Sequence, residues 1–144
     1  SAIMMALANP NLKVTTIERD RDRYLEAVKN IKKFELEDRI TLVFNDALEV
    51  NIEGTFDMIF IDAAKSQYIK FFEKFTPYLN KDGVVFSDNL YFHGYTKQKT
   101  RIESKNLRQL VQKLRKYIVY LEENKNYVTE FYNIGDGIAI TKRR

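Results

Sequence analysis

Short apolar runs alternate with helical stripes along this chain. Phe56-Asp57-Met58-Ile59-Phe60-Ile61-Asp62 and Gly83-Val84-Val85-Phe86-Ser87-Asp88-Asn89 are brief, rich in β-branched or aromatic residues, and closed by polar side chains. A strand buried on both faces of a parallel sheet reads this way, so both runs are predicted strands. Between them, Gln67 to Leu79 repeats Tyr68, Phe71, Phe72, Phe75, Tyr78 and Leu79 at helical spacing, one apolar stripe suited to pack on a sheet. Upstream, Ser1 to Ala8 has the composition of a helix body ended by Asn9 and Pro10, and Lys13 to Ile17 reads as a strand terminating in Glu18. Arg21 to Phe34 places Tyr24, Leu25, Val28, Ile31 and Phe34 on one helical face, with Asp20 as its cap. Arg39 to Phe44 is the next strand, running into Asn45-Asp46-Ala47, and a loop through Asn51 and Gly54 follows. After Asn89, Leu90 to Thr100 reads as a long loop. Leu107, Leu110, Val111, Leu114, Tyr117, Ile118 and Leu121 then mark an amphipathic helix, and Tyr127–Asn133 and Gly137–Thr141 flank a hairpin turn at Gly135-Asp136. This order implies a doubly wound α/β sheet, mostly parallel, with an antiparallel hairpin added at its edge.

In such a sheet the carboxyl ends of parallel strands open onto one crevice, where ligands collect. Asp62, Asp88 and Asn89 would share it. Two carboxylates and an amide carbonyl form a hard oxygen set suited to a divalent cation, and Lys65, three residues past Asp62, is placed to act as a base or to neutralise Asp62. Glu18, directly after a strand and before a helix, can accept both hydroxyls of a ribose, or can be a surface acid paired with Arg19 or Arg21. Asp46 and Ala47 repeat that position one strand later, where an acid and a backbone amide could border an adenine edge. Asn-Asp after a strand is also common turn chemistry.

The bulk numbers bound the possibilities. At 144 residues and 44% hydrophobic content, the length is that of one domain. The absence of Cys excludes disulfides, thiolate metal sites and a Cys nucleophile, and no apolar run is long enough to span a membrane. A soluble, cytoplasmic protein without a membrane partner is therefore expected. The net charge of +4 is uneven: residues 1–92 hold 12 Lys/Arg against 15 Asp/Glu, whereas residues 93–144 hold 12 against 5. Lys97, Lys99, Arg101, Lys105, Arg108, Lys113, Arg115 and Lys116 face the single acid Glu103 across one stretch, which makes a polyanionic partner conceivable. The same cations could equally be the solvated side of an amphipathic helix.

Thr-Ile-Glu18-Arg, Asp46-Ala47, Ile-Asp62-Ala-Ala-Lys65-Ser-Gln-Tyr68 and Ser-Asp88-Asn89-Leu90 follow four successive strands in this order. Together they resemble the metal-dependent class I S-adenosylmethionine O-methyltransferases, the group similar to catechol and caffeoyl-CoA O-methyltransferases. The resemblance covers essentially the whole chain. It implies a Rossmann-like sheet in which Glu18 holds the ribose of S-adenosylmethionine and Asp46 and Ala47 border its adenine. It further implies that Asp62, Asp88 and Asn89 ligate Mg²⁺ (or Mn²⁺ or Ca²⁺), that Asp62 also adjoins the cofactor, and that Lys65 is the general base. The family's glycine-rich turn and first strand have no counterpart here, so residues 1–144 are expected to be the C-terminal part of a single methyltransferase domain, unable to fold or bind cofactor by themselves. The missing strand would lie between those ending at Glu18 and Asp62.

Small phenols, acyl-CoA-linked phenols and RNA are all methylated within the superfamily the chain resembles, and the strand-end residues do not choose among them. The sequence around Ala63-Ala64-Lys65-Ser66 and Asp88 to Gly94 looks most similar to the bacterial branch that methylates 5-hydroxyuridine at the tRNA wobble position. On that reading Tyr91, Phe92 and Tyr95 would stack on an extruded base, and Lys97, Lys99 and Arg101 would meet phosphates. A small catechol-like or phenolic acceptor is the alternative, and a binding scaffold without catalysis is the non-enzymatic one. His93, the only His, is read as a loop residue, and a homodimer is expected from the family resemblance.

Overall fold

The computed structural model describes residues 2–62 and 65–144, without the side chain of Lys65. The chain divides into two compact units, Ser1–Ile52 and Glu53–Arg144.

In the first unit, α1 (Ala2–Ala8) leads to β1 (Val14–Glu18), α2 (Arg21–Lys33) and β2 (Ile40–Phe44). The carbonyls left unpaired at the end of α1 are taken up by Arg39, whose guanidinium donates to Ala6 O at 2.9 Å and to Asn9 O just beyond the helix at 3.0 Å. Asp20 caps α2, its carboxylate accepting from the Arg23 N–H at 3.0 Å. Glu35, in the left-handed region at φ 57°, turns the chain so that the Leu36 N–H reaches Ile31 O. The two strands run parallel, from Val14 opposite Ile40 to Glu18 opposite Phe44, as the intervening helix requires. Ala6, Ile31, Leu36 and Ile40 form the core, with Ile3, Val14 and Leu42 packed against it. The expected stripe of α2 is only partly used. Ile31 is buried, but Leu25, Val28 and Phe34 remain 51%, 42% and 47% exposed.

The second unit runs β3 (Phe56–Ile61), α3 (Tyr68–Phe75), β4 (Leu79–Ser87), α4 (Lys105–Glu123), β5 (Tyr127–Tyr132) and β6 (Ile138–Arg143). Single 3-10 turns stand at Lys65–Gln67, Thr76–Tyr78 and Tyr95–Lys97. Its sheet has the order β3-β4-β6-β5, parallel between β3 and β4 and antiparallel through the terminal hairpin. The strand expected from Gly83 begins instead at Leu79. Phe56 pairs with Leu79 and Met58 already with Val84, so the polar stretch Asn80–Asp82 and Gly83 bulge out of the ladder. A Cβ at Gly83 would sit 2.6 Å from Leu79 Cδ1 and 3.0 Å from the Asn80 carbonyl oxygen, so a side chain there would force Leu79 to shift.

Tyr68, Phe72, Val85, Val111, Leu114, Tyr117 and Leu121 are almost wholly buried and form much of this unit's core. Tyr68 meets Tyr117 edge-on, with ring centroids 5.3 Å apart at 80°, and Phe72 meets Tyr127 at 5.2 Å and 78°. The two buried hydroxyls nearest the end of β4 satisfy each other, Tyr117 and Ser87 sharing a 2.7 Å hydrogen bond. Ser104 starts α4 by accepting from the Leu107 N–H.

Candidate functional site

Parallel pairing of β3 with β4 brings Ile61 opposite Ser87, so the residues that follow, Asp62 and Asp88, leave the sheet side by side. The Asp88 N–H continues the ladder to Ile61 O at 3.1 Å. Asn89 then takes φ 58°, a conformation that asparagine tolerates better than most residues, and its side chain swings across to Asp62, Nδ2 to Oδ1 2.6 Å. The Asp88 carboxylate accepts from the Asn89 N–H at 2.7 Å. Asp62 is exposed and the other two are half-buried, so all three predicted oxygen donors meet at one solvent-facing edge.

Tyr68 lies beneath them and donates its hydroxyl to Asp88 O at 3.0 Å. Burial pushes this phenol well above its ordinary range, and the Asp62 carboxylate, Tyr117 and Asp88 add to the shift, so it remains a protonated donor. The helical stripe marked Tyr68 only as core; its second role depends on α3 starting right after the turn that follows β3. Lys65 opens that turn. Its side chain, together with Ala63 and Ala64, lies outside the described residues, as does Ser1. Ser66, Asn106, Gln109, Leu110 and Lys113 line a cavity of about 170 Å³ between this turn and α4, a feature with no sequence signal.

The loop after Asn89 is tightly tied. Phe92, His93 and Gly94 all have positive φ, at 44°, 55° and 85°. The Tyr91 ring is flanked by Lys97 Nζ, 3.8 Å from its centroid, and by Gly137, whose Cα has no room for a side chain beside the ring. Phe92 and Tyr95 lie 6.0 Å apart. From α4, Arg115 donates to three carbonyls of the loop, Thr96 at 3.0 Å, Tyr95 at 3.2 Å and Gln98 at 2.7 Å. Arg108 likewise caps Ile102 O and Glu103 O, both at 2.9 Å. These two arginines therefore face inward, while Lys97, Lys99, Arg101, Lys105, Lys113 and Lys116 are exposed.

In the first unit, β1 and β2 bring Glu18 and Asp46 to the same sheet end. The Asn45 N–H bonds Glu18 O at 3.1 Å, one Glu18 carboxylate oxygen accepts from the Asp20 N–H at 3.0 Å, and Asp46 accepts from the Leu48 N–H at 2.8 Å. Arg19 approaches Asp46 at 3.9 Å rather than pairing with Glu18. At that distance and exposure the ion pair adds little stability. The local turns thus fix both acids, and Ala47 follows Asp46 in its turn.

A family model described as O-methyltransferase matches residues 1–144. The chain belongs to this O-methyltransferase family. A crystal structure of a "putative caffeoyl-CoA O-methyltransferase" from Staphylococcus aureus superposes with a TM-score of 0.92 at 38% identity, over 99% of this chain and 69% of that one. The flavonoid 3',5'-methyltransferase of Vitis vinifera is 26% identical over 99% of this chain and 65% of its own length. An O-methyltransferase of Bacillus cereus, solved with SAH, shares the fold with a TM-score of 0.77 at 22% identity, covering 92% and 63% of the two chains. The chain spans 64% and 65% of the length of two plant relatives it matches. The fold is therefore the α/β methyltransferase fold, with the expected antiparallel C-terminal hairpin.

The residues at the ends of β3 and β4 fit a divalent cation by donor chemistry. Among the described residues no cluster of three His, Cys, Asp or Glu exists, and the third donor here is a carboxamide. Asn89 presents its nitrogen to Asp62, and a half-turn about its Cβ–Cγ bond exchanges nitrogen for oxygen, giving an all-oxygen set of the hard type.

Proposed function

We propose that this chain carries the acceptor side and the ribose-binding acid of an S-adenosylmethionine-dependent, divalent-cation-assisted O-methyltransferase, and that its acceptor is the 5-hydroxyl of 5-hydroxyuridine at the tRNA wobble position. The observation that carries the catalytic part is the apposition of Asp62, Asp88 and Asn89 at adjoining strand ends, with Asn89 2.6 Å from Asp62. Glu18 binds the cofactor ribose, Asp46 and Ala47 border the adenine, and Asp62, Asp88 and Asn89 hold Mg²⁺ or a similar cation. Lys65 takes the acceptor proton. Bound S-adenosylmethionine would supply the methyl group from its sulfonium, the acceptor oxygen replacing the sulfur at that carbon and S-adenosylhomocysteine being the leaving group. A bound divalent cation supplies positive charge that favours the anionic form of that oxygen. Tyr68 keeps the Asp88 carbonyl fixed while this occurs.

The RNA acceptor is supported by the exposed cations Lys97, Lys99, Arg101, Lys105, Lys113 and Lys116, which outnumber the one exposed acid of the same stretch, Glu103, in and after the loop that follows Asn89. A small catechol-like or phenolic acceptor is the second reading, favoured by a relative that is named for flavonoid methylation. Full-length protein with labelled S-adenosylmethionine and Mg²⁺ should label tRNA containing free 5-hydroxyuridine, in a salt-sensitive and chelator-sensitive manner, and leave a catechol panel unlabelled. Labelling of catechols alone would replace the RNA reading with the second one, and no transfer to either would return the chain to a binding scaffold.

A further inference from the structure

The hairpin turn between β5 and β6 grips the segment that carries Asn89. The Leu90 N–H donates to Gly137 O at 3.1 Å, the Tyr91 N–H to Asp136 O at 2.8 Å, and the His93 N–H to the Asp136 carboxylate at 2.7 Å. These bonds bracket a stretch in which Asn89, Phe92 and His93 all hold positive φ without being glycine. Three such residues in five do not stay in that conformation unless their surroundings impose it. Gly137 itself takes φ 86°, and a Cβ there would lie 2.4 Å from the Tyr91 ring, so turn and loop interlock without space for a side chain. The hairpin is anchored in turn, since β6 pairs Ala139 with Ser87, the residue before Asp88.

We infer that Asp136 is a positioning residue for the oxygen site: by fixing the His93 amide it locks the left-handed turn that aims Asn89 at Asp62. Asp136 does not touch the acceptor or cation; it acts through the backbone of residues 89–93. The inference rests on the reading of Asp62, Asp88 and Asn89 as a cation site. An Asp136→Ala variant keeps the backbone carbonyl that serves Tyr91 and removes only the carboxylate that serves His93. Asp136→Asn retains an acceptor oxygen at the same place.

The test uses full-length protein and Mn²⁺ binding followed by electron paramagnetic resonance, a readout independent of methyl transfer. Groups that orient metal ligands typically change affinity by about 10–100-fold when removed. Asp136→Ala should weaken Mn²⁺ binding at least about tenfold, leave S-adenosylmethionine affinity unchanged and speed His93 amide exchange. Asp136→Asn should restore Mn²⁺ affinity to near wild type. Unchanged Mn²⁺ affinity in the Ala variant, an Asn variant as weak as Ala, or an Ala variant that does not fold would each overturn the inference, the last by making the role structural. Wild-type protein that binds Mn²⁺ without methylating any acceptor would refute the proposed function while leaving this comparison decisive. Wild-type protein that binds no Mn²⁺ would refute both.

Discussion

Arg115 counts in the sequence among eight closely spaced cations, yet its guanidinium is spent on the carbonyls of Tyr95, Thr96 and Gln98. Arg115→Met keeps most of the apolar stem and removes all three bonds. A hydrogen bond is worth about 0.5–1.5 kcal/mol net, and more when a charge donates. These carbonyls lie at a half-buried surface and regain water when released, so the lower end applies, giving about 1.5–3 kcal/mol for the set. The loss is local, because α4 keeps Val111, Leu114, Tyr117 and Leu121 buried without Arg115. Opening of the loop rather than global unfolding should therefore respond. At about 1.4 kcal/mol per tenfold, exchange of the Tyr95, Thr96, Lys97 and Gln98 amides should accelerate roughly 10–100-fold. Each of these amides bonds within the loop, so hydrogen exchange with site resolution reads its opening directly. Arg115→Lys should recover only part of the protection, since an ammonium cannot reproduce the planar fork. Unchanged exchange at all four amides in Arg115→Met would refute the view that this arginine holds the loop.

Other perturbations test the packing and charge arguments. Tyr117→Phe strands the fully buried Ser87 hydroxyl and should cost about 1–3 kcal/mol in urea unfolding, whereas adding Ser87→Ala should cost less than the sum of the single changes; strict additivity would deny the bond. Burial is the main cause that raises the Tyr117 and Tyr68 phenols above the ordinary value of 10.0. The stability tied to those protons is complete below about pH 10 and is lost as pH rises through the folded-state values, because the unfolded chain ionises first. Unfolding midpoints should fall steeply above pH 10 and less steeply in Tyr117→Phe, and equal slopes would contradict this. If RNA is the acceptor, Lys99→Ala with Arg101→Ala should reduce the slope of log affinity against log salt by roughly 1.5, while a small-phenol enzyme would show no salt-dependent substrate binding to lose.

The strands were legible wherever apolar runs were uninterrupted: β3 ends at Ile61, one residue before the expected Asp62, and α4 buries four of the residues its stripe marked. The start of β4 was hidden because Asn80-Lys81-Asp82 is polar. What admits it is remote, namely Arg143 donating to Leu79 O and Asn80 O, and Asn80 donating to Asp57 at 2.7 Å. The helix expected through Leu79 stops at Phe75, where Pro77 and a 3-10 turn intervene before the strand. Asp62 and Asp88 were readable together because strand register places them side by side, and Asn89 because it follows Asp88 in sequence, although its swing towards Asp62 depends on a left-handed turn. The contributions of Tyr68, Arg115 and Asp136 were not, because each acts through a backbone atom brought near by the tertiary fold, and backbone partners leave no trace in residue type.

The most direct test of the account is chelator-controlled methyl transfer by full-length protein carrying Asp88→Ala or Asn89→Ala. Wild type should transfer labelled methyl only with a divalent cation present, and both variants should lose that cation-dependent transfer while binding S-adenosylmethionine as before. Equal turnover in wild type and both variants, or transfer indifferent to chelator, would show that the ends of β3 and β4 are not the reaction centre.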